Sequence, residues 1–254
     1  MPSDASSDLV SEQGAGGVVL GRWILGIAML CNAAAIAIVN FWIYRALAVY
    51  ARNFPERMAV HPITVSRAIT DPEVSDPFAA WITFSALILP IGVAVVALLQ
   101  ARVSQTAIGR GLAWSMVVFQ LGSSVGMVLL SHYRFPDHDE IHMAGSFLFF
   151  ISQTAMILAC GLSARHVLRH GAGLSESLLR GNRLRVLGAI WVACLAAAYL
   201  CLFVGKGYVS GKVYTVVYKV YTLTEPALIS SFLAVFAFYF FDLIYYFRRV
   251  NSNV

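Results

Sequence analysis

The chain has 254 residues, of which 59% are hydrophobic and 12% are charged, and its formal net charge is +5. A soluble protein of this length would carry about twice that share of charged residues, so the composition excludes a soluble globular fold. Nucleic-acid binding is also excluded, because the basic residues sit near the ends of apolar runs and do not form one stripe with aromatic residues.

Six apolar runs are long enough to cross a bilayer, since a membrane-spanning helix needs about 20 predominantly apolar residues. In chain order the runs are about Trp23–Tyr44, Phe78–Ala101, Leu112–Ser131, Ile141–Ser163, Leu184–Gly205 and Val213–Phe247. Soluble helices have a polar face, and these runs mostly do not. The sequence therefore predicts an all-α polytopic membrane protein in which residues 18–254 form one bundle of six transmembrane helices.

The N-terminal segment and the distribution of arginine predict an orientation. Residues 1–17, MPSDASSDLVSEQGAGG, are polar and acidic, unlike the basic start of a signal peptide, and predict a disordered cytosolic tail. Ten cations, most of them in short loops or tails, fall on the side of the termini and seven fall on the other side, so the positive-inside rule places both termini in the cytosol. The expected membrane is a plasma membrane or Golgi- or lysosome-like endomembrane in a eukaryote, and the inner membrane in a bacterium.

The connection between the first two spans, residues 49–77, carries four prolines, which bar a regular helix through most of its length. Its apolar positions favour an ordered lid across the non-cytosolic mouth of the bundle over an unstructured luminal loop. These positions are Val60, Ile63, Val65 and Ile69. Asp76 followed by Pro77 predicts the N-cap and first residue of the second spanning helix.

The third span contains Gly122 and Gly126, a G-x-x-x-G pattern that lets two helices approach closely. Such patterns are common in membrane helices and indicate packing. Dimerisation through this face is an alternative.

The segment FPDHDEIHMAG, residues 135–145, admits a metal-site interpretation. His138 and His142 are four residues apart and would share a helix face, and HDEIH resembles the zinc-protease pattern H-E-x-x-H with Asp139 in place of glutamate. His132 could supply a third ligand.

Helix capping explains more of the same segment. Asp137 is a good N-cap and Glu140 follows three residues later, as in a capping box. Acids in the first turn also suit the helix dipole, at about 0.3–1 kcal/mol each. Capping leaves His142 unexplained, and a polar side chain at that depth should face the bundle interior and have a partner.

The sixth span is unusually polar for a membrane helix. At about 100° per residue, four of its side chains form a single stripe of three phenols and one carboxyl group. These are Tyr214, Tyr218, Tyr221 and Glu225. Lys219 points about 120° away from Glu225, and Asp242 near the cytosolic end is interpreted as structural. A charged group deep in a span indicates a functional site or a satisfied structural partner.

Three stretches of the chain are similar to a known superfamily: HPITVSRAITDPEVSDPFAAWITFSA, EIHMAGSF and VYKVYTLTEPALISSFLAVFAFYFFD. The chain resembles the superfamily that joins the GPI-anchor lipid-remodelling factor with the damage-regulated autophagy modulators. His142 matches the family's histidine at the entrance of the fourth helix, and Glu225 and Asp242 match its acidic pair by their spacing. The resemblance implies a six-helix bundle with cytosolic termini and work on lipids.

The leading functional hypothesis is a protein that binds a membrane lipid, or assists its remodelling, through a polar pocket on the non-cytosolic side. The expected binding residues are His142, Glu225, Tyr214, Tyr218, Tyr221 and Ser66. A non-catalytic subunit of a larger membrane complex is one alternative. A metal-dependent intramembrane hydrolase using His132, His138, His142 and Asp139 is another. A binding role without a cofactor is favoured over catalysis.

Overall fold

The structure is a computed structural model that describes residues 21–104, 106–171 and 173–252. The described residues form nine helices: α1 Arg22–Asn53, α2 Pro55–Val60, α3 Val65–Ala68, α4 Pro72–Val103, α5 Ala107–His132, α6 Asp139–His170, α7 Glu176–Gly205, α8 Gly211–Ala237 and α9 Phe240–Ser252. The six predicted spans are confirmed as α1, α4, α5, α6, α7 and the pair α8 and α9. The tail predicted for residues 1–17 lies outside the described residues.

Neighbours in the sequence are mostly neighbours in the bundle. α1 packs on α4, α4 on α5, α5 on α6, α6 on α7 and α7 on α8, while α1 also contacts α8 and α9 and thereby closes the ring. The core between the helices is apolar, with Leu89, Met156 and Phe232 each at most 2% exposed. Short connections produce this order because they join antiparallel helices side by side.

α5 and α6 approach closely through glycine. A Cβ atom built at Gly126 would collide with the backbone of Phe149 and would lie 2.8 Å from the carbonyl oxygen of Gly145. A Cβ atom at Gly122 would lie 2.8 Å from Oγ of Ser152 on the same neighbour. The G-x-x-x-G face is thus used for packing inside the chain, where α6 covers it.

The segment between α1 and α4, residues 54–71, is hereafter called the lid. It contains the short helices α2 and α3, and Ile63, Val65 and Ile69 are at most 8% exposed, so it packs on the bundle as expected. The expectation for Val60 is wrong, because that side chain ends α2 on the outer surface and is 60% exposed. The end of the bundle that carries this segment is called the lid end.

The second spanning helix begins earlier than predicted. The N-cap is Asp71, whose Oδ1 accepts a hydrogen bond from the backbone N–H of Glu73 at 3.0 Å, and Pro72 is the first helical residue. Asp76 and Pro77 lie inside the helix, so their predicted capping role is wrong. Both pairs have the same local chemistry, and a tertiary contact favours the first: Nδ2 of Asn53 donates to Oδ2 of Asp71 at 2.9 Å.

The start of the fourth span also differs. Residues 135–138 form turns, the backbone N–H of His138 bonds to the carbonyl of Arg134 at 3.1 Å, and α6 begins at Asp139 with His138 as its N-cap. The predicted capping box of Asp137 and Glu140 is therefore wrong, because the backbone turn moves the N-cap one residue further, to His138. The acids Asp139 and Glu140 do lie in the first turn, where the helix dipole favours them.

The sixth span is interrupted at Phe238 and Tyr239, where the prediction had a continuous helix. The backbone N–H groups of these residues bond to carbonyls three residues back, of Val235 and Phe236, at 3.1 Å each. This tighter turn ends α8 and redirects the chain into α9. Tyr239 is fully buried at the break, and its hydroxyl donates to Sδ of Met156 at 3.6 Å.

Candidate lipid site beneath the lid

Glu225 of α8 fastens the lid to the bundle. Its Oε2 accepts a hydrogen bond from the backbone N–H of Val65 at 2.7 Å, and Oε1 accepts one from Oγ of Ser66 at 3.4 Å. Val65 is the first residue of α3, so its N–H has no partner within that helix. The carboxyl group, 3% exposed, therefore satisfies a helix terminus that reaches it from 160 residues away in the sequence.

A groove of about 660 Å³ opens beside Glu225, between the lid, α6, α7 and α8. Its polar end is at the lid end of the bundle, and its lining there includes Thr64, Ser66, Arg67, Lys206, Tyr218, Tyr221 and Glu225. Further along the helices the lining is mainly apolar and includes Phe150, Ile151, Leu158, Ala193, Ala197 and Leu200. The volume lies within the roughly 300–1,000 Å³ of ligand pockets.

Two cations stand at the polar end. Nζ of Lys206 lies 4.0 Å from the ring centroid of Tyr221 and 4.3 Å from that of Phe203, so the ammonium is held over two aromatic faces. Burial lowers the pKa of Lys206, Glu225 opposes this shift, and the positive charge of Arg67 adds to it. The side chain of Arg67 projects from α3 and is exposed.

The predicted tyrosine stripe of α8 forms a continuous row. The rings of Tyr214 and Tyr218 stack at 5.7 Å, and those of Tyr218 and Tyr221 lie 6.2 Å apart. Tyr221 also stacks on Tyr199 of α7 at 5.2 Å, with their hydroxyl oxygens 3.3 Å apart. Tyr218, Tyr221 and Tyr199 line the groove, whereas Tyr214 supports Tyr218 from behind.

His142 lies next to the groove and does not line it. Its side chain is fully buried, its Nδ1 is 2.8 Å from the carbonyl oxygen of Tyr133, and its Nε2 has no hydrogen-bond partner within the described part of the chain. The imidazole packs at 4.4 Å against the ring of Phe135, and Phe135 does line the groove. His142 is thus placed behind Phe135, where it holds the connection between α5 and α6.

The structure does not bring together the four residues of the alternative metal site, His132, His138, His142 and Asp139. Nε2 of His132 is 2.9 Å from Oγ1 of Thr83, and His142 faces Tyr133. Among residues 21–104, 106–171 and 173–252, no group of three or more His, Cys, Asp or Glu side chains could hold a metal ion. The geometry therefore gives the H-D-E-I-H pattern no coordination site among these residues.

Sequence reasoning missed Arg67, Lys206 and Tyr199 as groove residues. Each comes from a different element, and nothing in local spacing joins them to Glu225. The sequence does indicate where the two cations lie, since Arg67 follows Ser66 directly and Lys206 is the first charged residue after the fifth span. Both cations fall at the same predicted end of the bundle as the acid.

A second buried polar cluster occupies the opposite end of the bundle. Arg185 of α7, which is fully buried, bonds to Oδ1 of Asp242 of α9 at 2.7 Å. Nε2 of Gln100 lies 3.2 Å from both Oδ2 of Asp242 and Oδ1 of Asn182, and Ser163 donates to Oε1 of Gln100 at 3.1 Å. This cluster connects four helices, which agrees with the structural interpretation of Asp242.

A sequence model described as the Frag1/DRAM/Sfk1/Cwh43P N-terminal domain matches residues 18–246 of the chain. The match runs from before α1 into α9 and therefore includes the lid, the groove and Glu225. No curated protein and no solved structure matches the chain.

Proposed function

The chain belongs to the Frag1/DRAM/Sfk1/Cwh43P N-terminal domain family of multi-pass membrane proteins, and from this premise we propose that its groove binds a membrane lipid or assists its remodelling. One observation carries the proposal: a single groove joins a polar, charged end to a long apolar part. An amphipathic ligand fits such a groove, because its polar headgroup contacts the polar end and its alkyl chain contacts the apolar lining.

The apolar part of the groove suits an alkyl chain. On α6 the lining of the whole groove, including its polar end, extends from Met143 to Leu158, which is 15 residues or about 22 Å along the helix axis. Ile151 and Leu200 line it and are 65% and 56% exposed, so this part is accessible. A lipid chain that fills the groove would cover apolar side chains that α6 and α7 otherwise leave uncovered.

Glu225 has a positioning role in this proposal. Both of its oxygens are engaged by the lid, through the Val65 N–H and the Ser66 hydroxyl. The acid therefore sets the height and angle of α3 above the groove. Ser66 and Arg67 are held at the polar end as a consequence.

We assign the lid end to the non-cytosolic side. The support is the arginine distribution, since the opposite end carries more cations in its loops and tails. Arg185 is one of the ten cations counted at the opposite end, but it is buried inside the bundle. The difference in loop and tail cations between the two ends is therefore smaller by one. A cysteine introduced at Arg57, on the outer surface of α2, should react with a membrane-impermeant label that is added to the non-cytosolic side of sealed membranes, and labelling from the cytosolic side alone would contradict the assignment.

The test is to obstruct the groove without touching its polar end. Ala197 lines the groove from α7, and the neighbouring Ala198 is exposed but does not line it. Ala197→Phe should reduce co-purified lipid at least tenfold, measured by mass spectrometry of the protein in mild detergent. Ala198→Phe is the matched control and should retain wild-type lipid.

Equal lipid retention in both variants would overturn the proposal. The same native spectra address the alternative of a non-catalytic subunit. A species at 27.7 kDa plus one lipid is the expected result, whereas a stoichiometric second protein and no lipid would favour the subunit hypothesis.

A further inference from the structure

Three arginines of the lid end pair with carboxylates, and the two cations of the groove do not. Arg45 and Arg52 both pair with Glu73, and Arg134 pairs with Asp76 at 3.0 Å. Within the described part of the chain, neither Arg67 nor Lys206 has an acidic group within ion-pair distance. The positive charge at the polar end of the groove is therefore not neutralised by a direct contact.

Glu225 is the acid of the groove lining, but the lid already engages it. Its oxygens accept from Val65 and Ser66, which leaves Arg67 and Lys206 free to bind an additional anion. The positive charge of Arg67 disfavours that of Lys206 and helps lower the pKa of Lys206. An anion between them would relieve this repulsion.

The chemistry of the two side chains selects phosphate. Arginine presents a planar fork of N–H donors and lysine presents a compact ammonium with three donors, and together they are the usual protein ligands of phosphate oxygens. The hydroxyls of Tyr218 and Tyr221 lie in the same lining and can donate to the remaining oxygens.

The position of these donors selects a lipid phosphate. Aromatic contacts to Tyr221 and Phe203 hold Lys206 at the junction between the polar end and the apolar lining. A phosphodiester linked to an alkyl chain spans such a junction, while a free phosphate ion would use the polar end alone. We propose that the ligand is an anionic phospholipid whose phosphate binds between Arg67 and Lys206 and whose acyl chain lies along α6. This inference rests on the proposed function.

The experiment compares three lipids with identical acyl chains on the full-length purified protein. Phosphatidylglycerol has a net negative charge on its phosphate. Phosphatidylcholine has the same phosphate, but its choline ammonium makes the headgroup zwitterionic. Diacylglycerol has no phosphate. We expect retention in native mass spectra to fall in that order, with at least tenfold between the first and the last. Inorganic phosphate alone should neither displace phosphatidylglycerol nor raise the thermal midpoint.

Arg67→Gln and Lys206→Gln should each lower phosphatidylglycerol retention about tenfold and leave diacylglycerol retention unchanged, since a charge-assisted contact is lost. Arg67→Lys and Lys206→Arg should restore most of the binding, which a merely structural role would not predict. Arg57→Gln is the control, because this exposed cation of the lid contacts the ring of Phe54 and does not line the groove.

The outcomes separate this inference from the proposed function. If diacylglycerol is retained as well as phosphatidylglycerol, or if the two glutamine variants bind as wild type, the phosphate site is overturned while sensitivity to Ala197→Phe still supports lipid binding. Stabilisation by inorganic phosphate as large as that by phosphatidylglycerol would overturn the lipid source. Retention of no lipid of any class would overturn the proposed function itself.

Discussion

At the scale of single residues, Glu225 connects elements that lie far apart in the sequence. The buried N–H of Val65 would have no acceptor without it, and an unsatisfied buried donor costs about 1–3 kcal/mol. The lid is thus ordered by two hydrogen bonds to one carboxyl group, together with the burial of Ile63, Val65 and Ile69. Loss of the carboxyl group should loosen the lid before it affects the bundle.

Glu225→Gln tests this role with little change in size. The amide offers one acceptor oxygen where the carboxyl group offers two, so one of the two bonds to the lid loses its acceptor atom. We expect backbone amide exchange across residues 61–70 to accelerate roughly tenfold, measured by hydrogen–deuterium exchange, while exchange in α5 stays at the wild-type rate. Lys219→Gln, an exposed change on the same helix, is the control and should leave the lid unaltered. Unchanged exchange in Glu225→Gln would refute the assigned role.

Some residues of the site can be predicted from helical periodicity, and others are brought to it only by the packing of the helices. Tyr218, Tyr221 and Glu225 share one helix, so helical periodicity alone predicts their common face. Arg67 and Lys206 join them through the packing of α3 and α7, which no local pattern encodes. His142 was expected in the pocket for its polarity, yet its Nδ1 lies against the carbonyl of Tyr133, nine residues earlier in the chain.

At the scale of the elements, the spans could be predicted because length and hydropathy determine them, whereas their ends required tertiary contacts. Asp71 with Pro72 and Asp76 with Pro77 are equivalent start signals, and the choice between them depends on Asn53 at the end of α1. The break after Ala237 likewise follows from a local change in hydrogen bonding that hydropathy does not register.

The contact between α5 and α6 gives a prediction about packing. Gly126→Val would drive side-chain atoms into the backbone of α6 at Phe149 and Gly145, so we expect a marked loss of stability. The thermal midpoint in detergent, followed by intrinsic fluorescence, should fall by several degrees. Gly111→Val is the matched control on the same helix, because a Cβ atom there meets nothing within 4 Å. Equal midpoints for the two variants would contradict the close approach.

At the scale of the whole molecule, polar clusters stabilise both ends of an otherwise apolar bundle. Glu225 holds the lid at one end, and Arg185 with Asp242 joins α7 to α9 at the other. The sixth span breaks at Phe238 and Tyr239, and α9, which follows the break, carries the Asp242 that pairs with Arg185. Both acids are buried inside the bundle, at 3% exposure each.

Removal of one member of the ion pair should be more harmful than removal of both. Asp242→Asn leaves the buried guanidinium of Arg185 uncompensated, and breaking such a pair typically costs about 3–5 kcal/mol. The double variant Asp242→Asn with Arg185→Met should recover part of that loss, measured as thermal midpoint and as yield of monodisperse protein. Arg183→Gln, an exposed change two residues away, serves as the control. A double variant less stable than Asp242→Asn would contradict this account.

The length of the groove determines which half of the bilayer it serves. The hydrocarbon core is about 30 Å thick, so one leaflet contributes about 15 Å of it. The groove extends about 22 Å along α6 from Met143 to Leu158, which corresponds to the headgroup zone and acyl region of a single leaflet. Its apolar end therefore lies near the bilayer midplane, and a lipid bound as we propose would enter and leave through the leaflet on the lid side.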